Sequence, residues 1–221
     1  MEQNFLMVTQ TETRTATADY FGVFSLPRKL NLDLPALEKE FYRLSRKLHP
    51  DLFVNRSASE QEWALEQSSQ LNDAYRTLRD PIARTQYLLG LEGVQLEEQS
   101  KAATDAARQS GEEKKQVVPP DLLEEAFEFN LQLQELKTSD ERDPEIIAQL
   151  QTAKRNFEQR LNDLSFELKR YWDAWDAVIN RGSQENGAPE RTKVRDQMVD
   201  LLNRRSYMRN LVRDVNAALP E

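Results

Sequence analysis

The sequence has no cysteine and a single histidine, His49. Without thiols there is no disulfide and no cysteine nucleophile. With one imidazole there is no metal site built from thiolates or several histidines. An all-carboxylate site would remain, but no calcium-loop spacing occurs, and no cofactor is expected. Glycine is also scarce, with six in 221 residues, and β-branched runs are few. Leu, Glu, Gln, Ala, Lys and Arg dominate instead, which predicts an all-α chain. No apolar run approaches the roughly 20 residues needed to cross a bilayer. Phe5-Leu6-Met7-Val8 has no basic flank and is too short for a signal-peptide core. Glu2 and Glu12 beside a lone Arg14 suit an organellar transit peptide poorly, so a bacterial cytoplasm is the expected compartment. Positive charge is in deficit, 30 Lys plus Arg against 38 Asp plus Glu, for a formal charge of −8 and a pI near 5.0. That balance argues against a sequence-independent nucleic-acid binder.

Against this acidic background one stretch concentrates cations. Leu34, Leu37, Phe41, Leu44 and Leu48 recur at steps of three and four and predict one buried helical stripe. Lys39, Arg43, Arg46 and Lys47 fall on another face as a compact positive ridge, suited to an acidic protein partner. Pro50 lacks an amide donor and biases the residues before it away from helical geometry. The helix should therefore stop near Leu48 and deliver His49-Pro50-Asp51 into a loop. Upstream, Asp19 can cap a short helix carrying Tyr20, Phe21, Val23 and Phe24, and Asp33, with Pro35 just behind it, can cap the long one. Downstream, Ser59-Glu60-Gln61-Glu62 reads as a capping box for a helix from Glu60 to about Leu78. Its Trp63, Ala64, Leu71, Ala74, Tyr75 and Leu78 would face the first stripe in an antiparallel hairpin. Asp80-Pro81 opens a further helix to about Leu89, closed by Gly90.

Two helices flank His49-Pro50-Asp51, followed by Asn72-Asp73-Ala74-Tyr75, Leu78-Arg79-Asp80-Pro81, Arg84 and Tyr87-Leu88-Leu89. In order and spacing this resembles a J-domain, the module with which co-chaperones stimulate a DnaK-type chaperone ATPase. The opening Asp19-Tyr20-Phe21, the run Gln67-Ser68-Ser69 and the ending Tyr87-Leu88-Leu89-Gly90 resemble one branch, the HscB family of iron–sulfur cluster assembly co-chaperones. The resemblance spans about Asp19 to Gly93. It implies that Asp51 engages the ATPase, that Pro50 fixes the loop and that His49 completes the contact that triggers hydrolysis. Lys39, Arg43, Arg46 and Lys47 would steer the encounter electrostatically. A Ser-His-Asp triad around His49 has no supporting signature such as Gly-x-Ser-x-Gly.

The rest of the chain divides by composition. Residues 1–18 are polar and threonine-rich and read as a disordered tail; residues 19–93 form the J-domain unit. Residues 94–121 are rich in Lys, Glu, Gln, Ala and Ser, end at Pro119-Pro120, and read as a linker with some helix around Glu97 to Arg108. Residues 122–221 hold three amphipathic segments: about Leu122 to Lys137, Asp143-Pro144 to Asn180, and Glu190 to Leu219. The middle one would be on the order of 50 Å long. Short connections between them predict an antiparallel three-helix bundle, which is also what the family resemblance implies. Tyr171, Trp172 and Trp175 read as packing between long helices.

The first bundle helix has more apolar residues than one seam uses. Leu122, Ala126, Phe129, Leu133 and Leu136 cluster within roughly 40° of one direction, while Leu123, Phe127 and Leu131 lie about 100–180° away. Glu124 and Glu128 border that second stripe, which either packs on the other domain or awaits a partner. Tyr207 sits roughly 140° from the mean seam of the third helix. The HscB resemblance implies that Leu123, Glu124, Phe127, Glu128, Leu131 and Tyr207 bind an IscU-type iron–sulfur scaffold. The chain thus reads as an all-α co-chaperone and not an enzyme, with a DnaK/HscA-type chaperone and a scaffold as partners and neither nucleic acid nor membrane. A J-domain co-chaperone serving another client, or a helical adaptor with a degenerate J-domain, is the alternative.

Overall fold

A computed structural model describes residues 19–94, 96, 119–138, 143–181 and 188–219. The expected tail 1–18 and nearly all of the expected linker lie outside the described residues. The elements among the described residues are all helices, and the chain divides into two compact units. Of the described residues, one comprises 19–28 together with Leu32–Arg84; the other comprises Lys29–Asn31 with those from Thr85 onward.

In the first unit α1 (Tyr20–Val23) and α2 (Leu34–Leu48) both pack on α3 (Ala58–Arg79). Asp19 caps α1 by accepting the Gly22 N–H at 2.9 Å, and its other oxygen takes the Arg28 guanidinium. Burial pushes the Asp19 carboxyl up, but the Gly22 and Arg28 hydrogen bonds outweigh it and hold the pKa below its ordinary value. Asp33 caps α2 through the Ala36 N–H, with Pro35 in the first turn, and the helix ends at Leu48 because Pro50 holds His49 extended. Phe21, Leu37, Ala64, Leu71, Ala74 and Leu78 are buried, and Phe41 stacks on Tyr75 with 4.1 Å between ring centroids. The α2 stripe is thinner than its spacing suggests. Leu34, in the first turn, is exposed, and Phe41, Leu44 and Leu48 are half-buried.

Two expected boundaries shift. The capping box is Ser57 with Glu60, not Ser59 with Glu62: the Ser57 N–H donates to Glu60 Oε2 at 2.9 Å and α3 starts two residues earlier. The loop after the tripeptide is correspondingly tighter. The next helix, α4 (Pro81–Leu91), runs through Gly90. It closes at Gly93, whose φ of 78° lets the Val94 N–H reach back to the Leu89 carbonyl at 3.0 Å.

In the second unit a 3₁₀ turn (Pro120–Leu122) leads into α5 (Leu123–Thr138), followed by α6 (Pro144–Asn180) and α7 (Ala188–Ala218). The contacts set their directions. Glu125 pairs with Arg160 and Gln132 with Gln149, so α5 and α6 run antiparallel; Arg181 pairs with Glu190 across the next turn. All five residues of the first α5 stripe are buried, with Phe129 edge-on to Phe157 at 5.4 Å. Trp175 is fully buried beneath the Arg191 guanidinium, and Trp172 Nε1 donates to Thr85 Oγ1 at 2.9 Å. The stretch Pro27 to Asp33 between α1 and α2 is not idle. The buried Asp176 carboxylate accepts the Leu30 N–H at 2.7 Å and the Asn31 N–H at 2.9 Å, which binds that strip into the second unit.

Candidate functional site

The tripeptide sits where a helix end and a 3₁₀ turn meet. His49 is the last residue before the turn Pro50–Phe53 and caps it: its Nδ1 accepts the Asp51 N–H at 3.3 Å, and its carbonyl accepts the Leu52 N–H at 3.0 Å. Accepting a hydrogen bond at Nδ1 requires the lone pair there, so the neutral ring carries its proton on Nε2. The Asp51 carboxylate is 83 % exposed, with its Oδ2 at 3.5 Å from the same Nδ1. His49 therefore orients the turn, and the turn presents an anion to the outside.

Behind it lies the cationic face of α2, with Lys39, Arg43, Arg46 and Lys47 all exposed. The ridge is not uniform. Arg43 is held by Glu40 through Nε at 2.7 Å; hydrogen bonding from Arg43 lowers the Glu40 pKa, and the same contact raises that of Arg43. Arg46 Nε donates to the Tyr42 carbonyl at 3.2 Å. Among the described residues Lys39 and Arg46 make no ion pair, so the ridge's available charge is concentrated on them and on Lys47. Glu40 escaped the sequence reading, although its i,i+3 spacing to Arg43 is visible there.

The second candidate surface lies on α5. Leu123, Phe127 and Leu131 are 58 %, 68 % and 57 % exposed, with Glu124 and Glu128 exposed beside them. Tyr207 requires a correction. It is only 7 % exposed and belongs to the bundle core with Phe129, Leu133 and Leu211. An angle from one mean seam misplaces it because α7 has two neighbours, α6 and α5, and its buried arc is wider than one stripe. Burial raises the Tyr207 pKa, and a hydrogen bond with the Asn130 side chain on α5 opposes that shift. Leu52, Val54 and Phe166 are exposed apolar residues that sequence reasoning did not single out, and Trp63, expected in the hairpin core, is half exposed. Heptad-like counting cannot find such residues, because it assigns every apolar side chain to some core.

A cleft of about 720 Å³ between α6 and α7 is lined by Glu167, Tyr171, Lys193, Asp196, Asp200 and Arg204. Within it Tyr171 donates to Glu167 and Arg204 to Asp200, while Arg204 also reaches Asp121. Among the described residues there is no group of three or more His, Asp or Glu side chains that could hold a metal ion, and no helix long and apolar enough to cross a membrane.

Known proteins are similar to this chain at the level of domain family, sequence and fold. Residues 19–87 match the DnaJ domain family. The chain is 32 % identical over 151 residues to a co-chaperone protein HscB homolog of Shewanella halifaxensis (strain HAW-EB4), covering 68 % of this chain and 76 % of that one. Among solved structures, the chaperone HscB from Vibrio cholerae aligns over 91 % of this chain and all of its own, at 24 % identity and a TM-score of 0.50. The crystal structure of the human co-chaperone protein HscB aligns over 91 % of this chain and 82 % of its own, at 20 % identity and a TM-score of 0.52. These two likenesses concern the fold.

Proposed function

Because the chain belongs to the HscB family of J-domain co-chaperones, we propose that it stimulates ATP hydrolysis by a DnaK/HscA-type chaperone and delivers an IscU-type iron–sulfur scaffold to it, promoting cluster transfer. It regulates another protein's ATPase and is not itself an enzyme. The observation that carries this reading is the turn at His49-Pro50-Asp51, which holds an exposed carboxylate in a fixed position at the end of a cationic helix.

In this reading Asp51 accepts hydrogen bonds from the ATPase, Pro50 sets the turn and His49 orients it. Lys39, Arg46, Lys47 and the Glu40-tethered Arg43 attract an acidic groove from a distance. The J-domain occupies residues 19–93 and the scaffold-binding bundle residues 122–221, in the cytoplasm. The scaffold sits on Leu123, Glu124, Phe127, Glu128 and Leu131. Tyr207 contributes from beneath, by bracing α5 through Asn130. One chain holding both partners raises the scaffold's local concentration at the chaperone's substrate site. Hydrolysis then locks the chaperone on the scaffold and favours release of the cluster.

Single-turnover ATP hydrolysis by a DnaK-type chaperone, with and without an IscU-type scaffold, tests both halves. Stimulation should be lost in Asp51→Asn. Synergy with the scaffold should be lost in Leu123→Ser/Phe127→Ser/Leu131→Ser while stimulation without scaffold persists. Stimulation that never responds to the scaffold would leave a co-chaperone for another client. No stimulation at all would leave only a helical adaptor.

A further inference from the structure

Three apolar side chains stand exposed around the turn that follows Asp51: Leu52 at 61 %, Val54 at 64 % and Trp63 at 48 %. Grouped apolar surface of this kind marks interaction sites. The group is also ordered. Phe53 sets its ring edge-on to Trp63 with 6.0 Å between centroids. The Gln61 side-chain amide donates to the carbonyls of Val54 at 3.1 Å and Arg56 at 3.0 Å, and the Ser57–Glu60 box fixes the turn that follows. The Leu52 N–H is bonded to the His49 carbonyl, so Leu52 is part of the same turn as the tripeptide. A surface already held in one arrangement loses little freedom when a partner covers it.

From that continuity we infer that the ATPase partner's footprint runs on from His49-Pro50-Asp51 over Leu52 and Val54 to Trp63, and that the partner carries an apolar strip beside the acidic one that meets α2. The inference rests on the reading of the tripeptide as the ATPase contact and extends it. Two physically different forces then share the interface. The ridge acts at long range and is screened by salt. The apolar patch acts only on contact and is indifferent to ionic strength, with Trp63 as its anchor, tryptophan being a residue type that often dominates interfaces.

The test titrates the full-length protein against a DnaK-type chaperone and reads the concentration giving half-maximal stimulation of hydrolysis. Trp63→Ala should raise it about tenfold, by the same factor at low and high salt. Leu52→Ser/Val54→Ser, which spares the Phe53–Trp63 contact, should raise it about fivefold. Thermal unfolding of each variant separates lost contact from lost fold. Half-maximal concentrations within about twofold of the parent for both variants overturn the inference. So does a double variant that titrates like the parent while Trp63→Ala weakens only in step with a lower melting temperature. A parent protein that sediments as a dimer dissolved by Trp63→Ala overturns it too, by assigning the patch to a second copy of the chain. If Asp51→Asn stimulates like the parent, the reading of the tripeptide itself fails, and the inference falls with it.

Discussion

At Asp51 the backbone and the side chain do separate work. The N–H holds the turn through His49 Nδ1, while among the described residues the carboxylate makes no charge-assisted contact shorter than 3.5 Å. Asp51→Asn keeps the first and removes the second, which makes it a clean probe of charge presentation. Asp19 is the opposite case, a carboxylate whose partners are all internal. Asn caps a helix about as well as Asp, so Asp19→Asn isolates the charge and its pairing with Arg28. Because the folded-state pKa lies below the ordinary value, the stabilisation is present above the unfolded pKa and disappears as pH falls through the folded one. The variant should be roughly 1 kcal/mol less stable than the parent near pH 7, discounted for the half-exposed arginine, and the gap should close on acidification toward pH ~3. Denaturant melts of the two proteins across that range measure it.

Helices were legible in the sequence wherever a local rule acts alone. Asp33 and Pro35 open α2, Pro50 ends it, and Asp143-Pro144 opens α6, as the structure has them. The misplacements occur where two similar signals lie within a turn of each other. Ser57 and Ser59 each precede a glutamate by three residues, and only the register of α3 against α1 and α2 selects the first. Gly90 and Gly93 both follow Leu88-Leu89 closely, but only Gly93 takes the left-handed backbone. A Cβ at Gly93 would meet no neighbour, so Gly93→Ala should cost only the backbone strain, about 1 kcal/mol in a chemical melt. Gly90→Ala should instead be neutral or stabilising, since it lies within the helix with nothing near its missing Cβ. The candidate sites divide in the same way. The tripeptide, the ridge and the α5 stripe follow from local spacing. The Tyr207 environment, the Asp176 grip on Leu30 and Asn31 and the exposed Trp63 depend on which helices become neighbours, and no single-helix pattern contains that.

For the whole molecule the formal charge of −8 and the cationic α2 face oppose one another. An acidic partner is repelled by the body and drawn only to the ridge, which favours encounters in one orientation. Half-maximal stimulation should therefore need more protein as salt rises, and Lys39→Ala/Arg46→Ala should flatten that dependence; titrations at two or more ionic strengths read it directly. The three tryptophans are also distributed usefully. Trp175 is fully buried and Trp172 partly so, both in the second unit, whereas Trp63 is half exposed in the first. Emission open to a soluble quencher such as acrylamide comes chiefly from Trp63, and protected emission from the other two. The chain thus carries a separate optical reporter for each unit, and a single melt followed with and without quencher reveals which one lets go first.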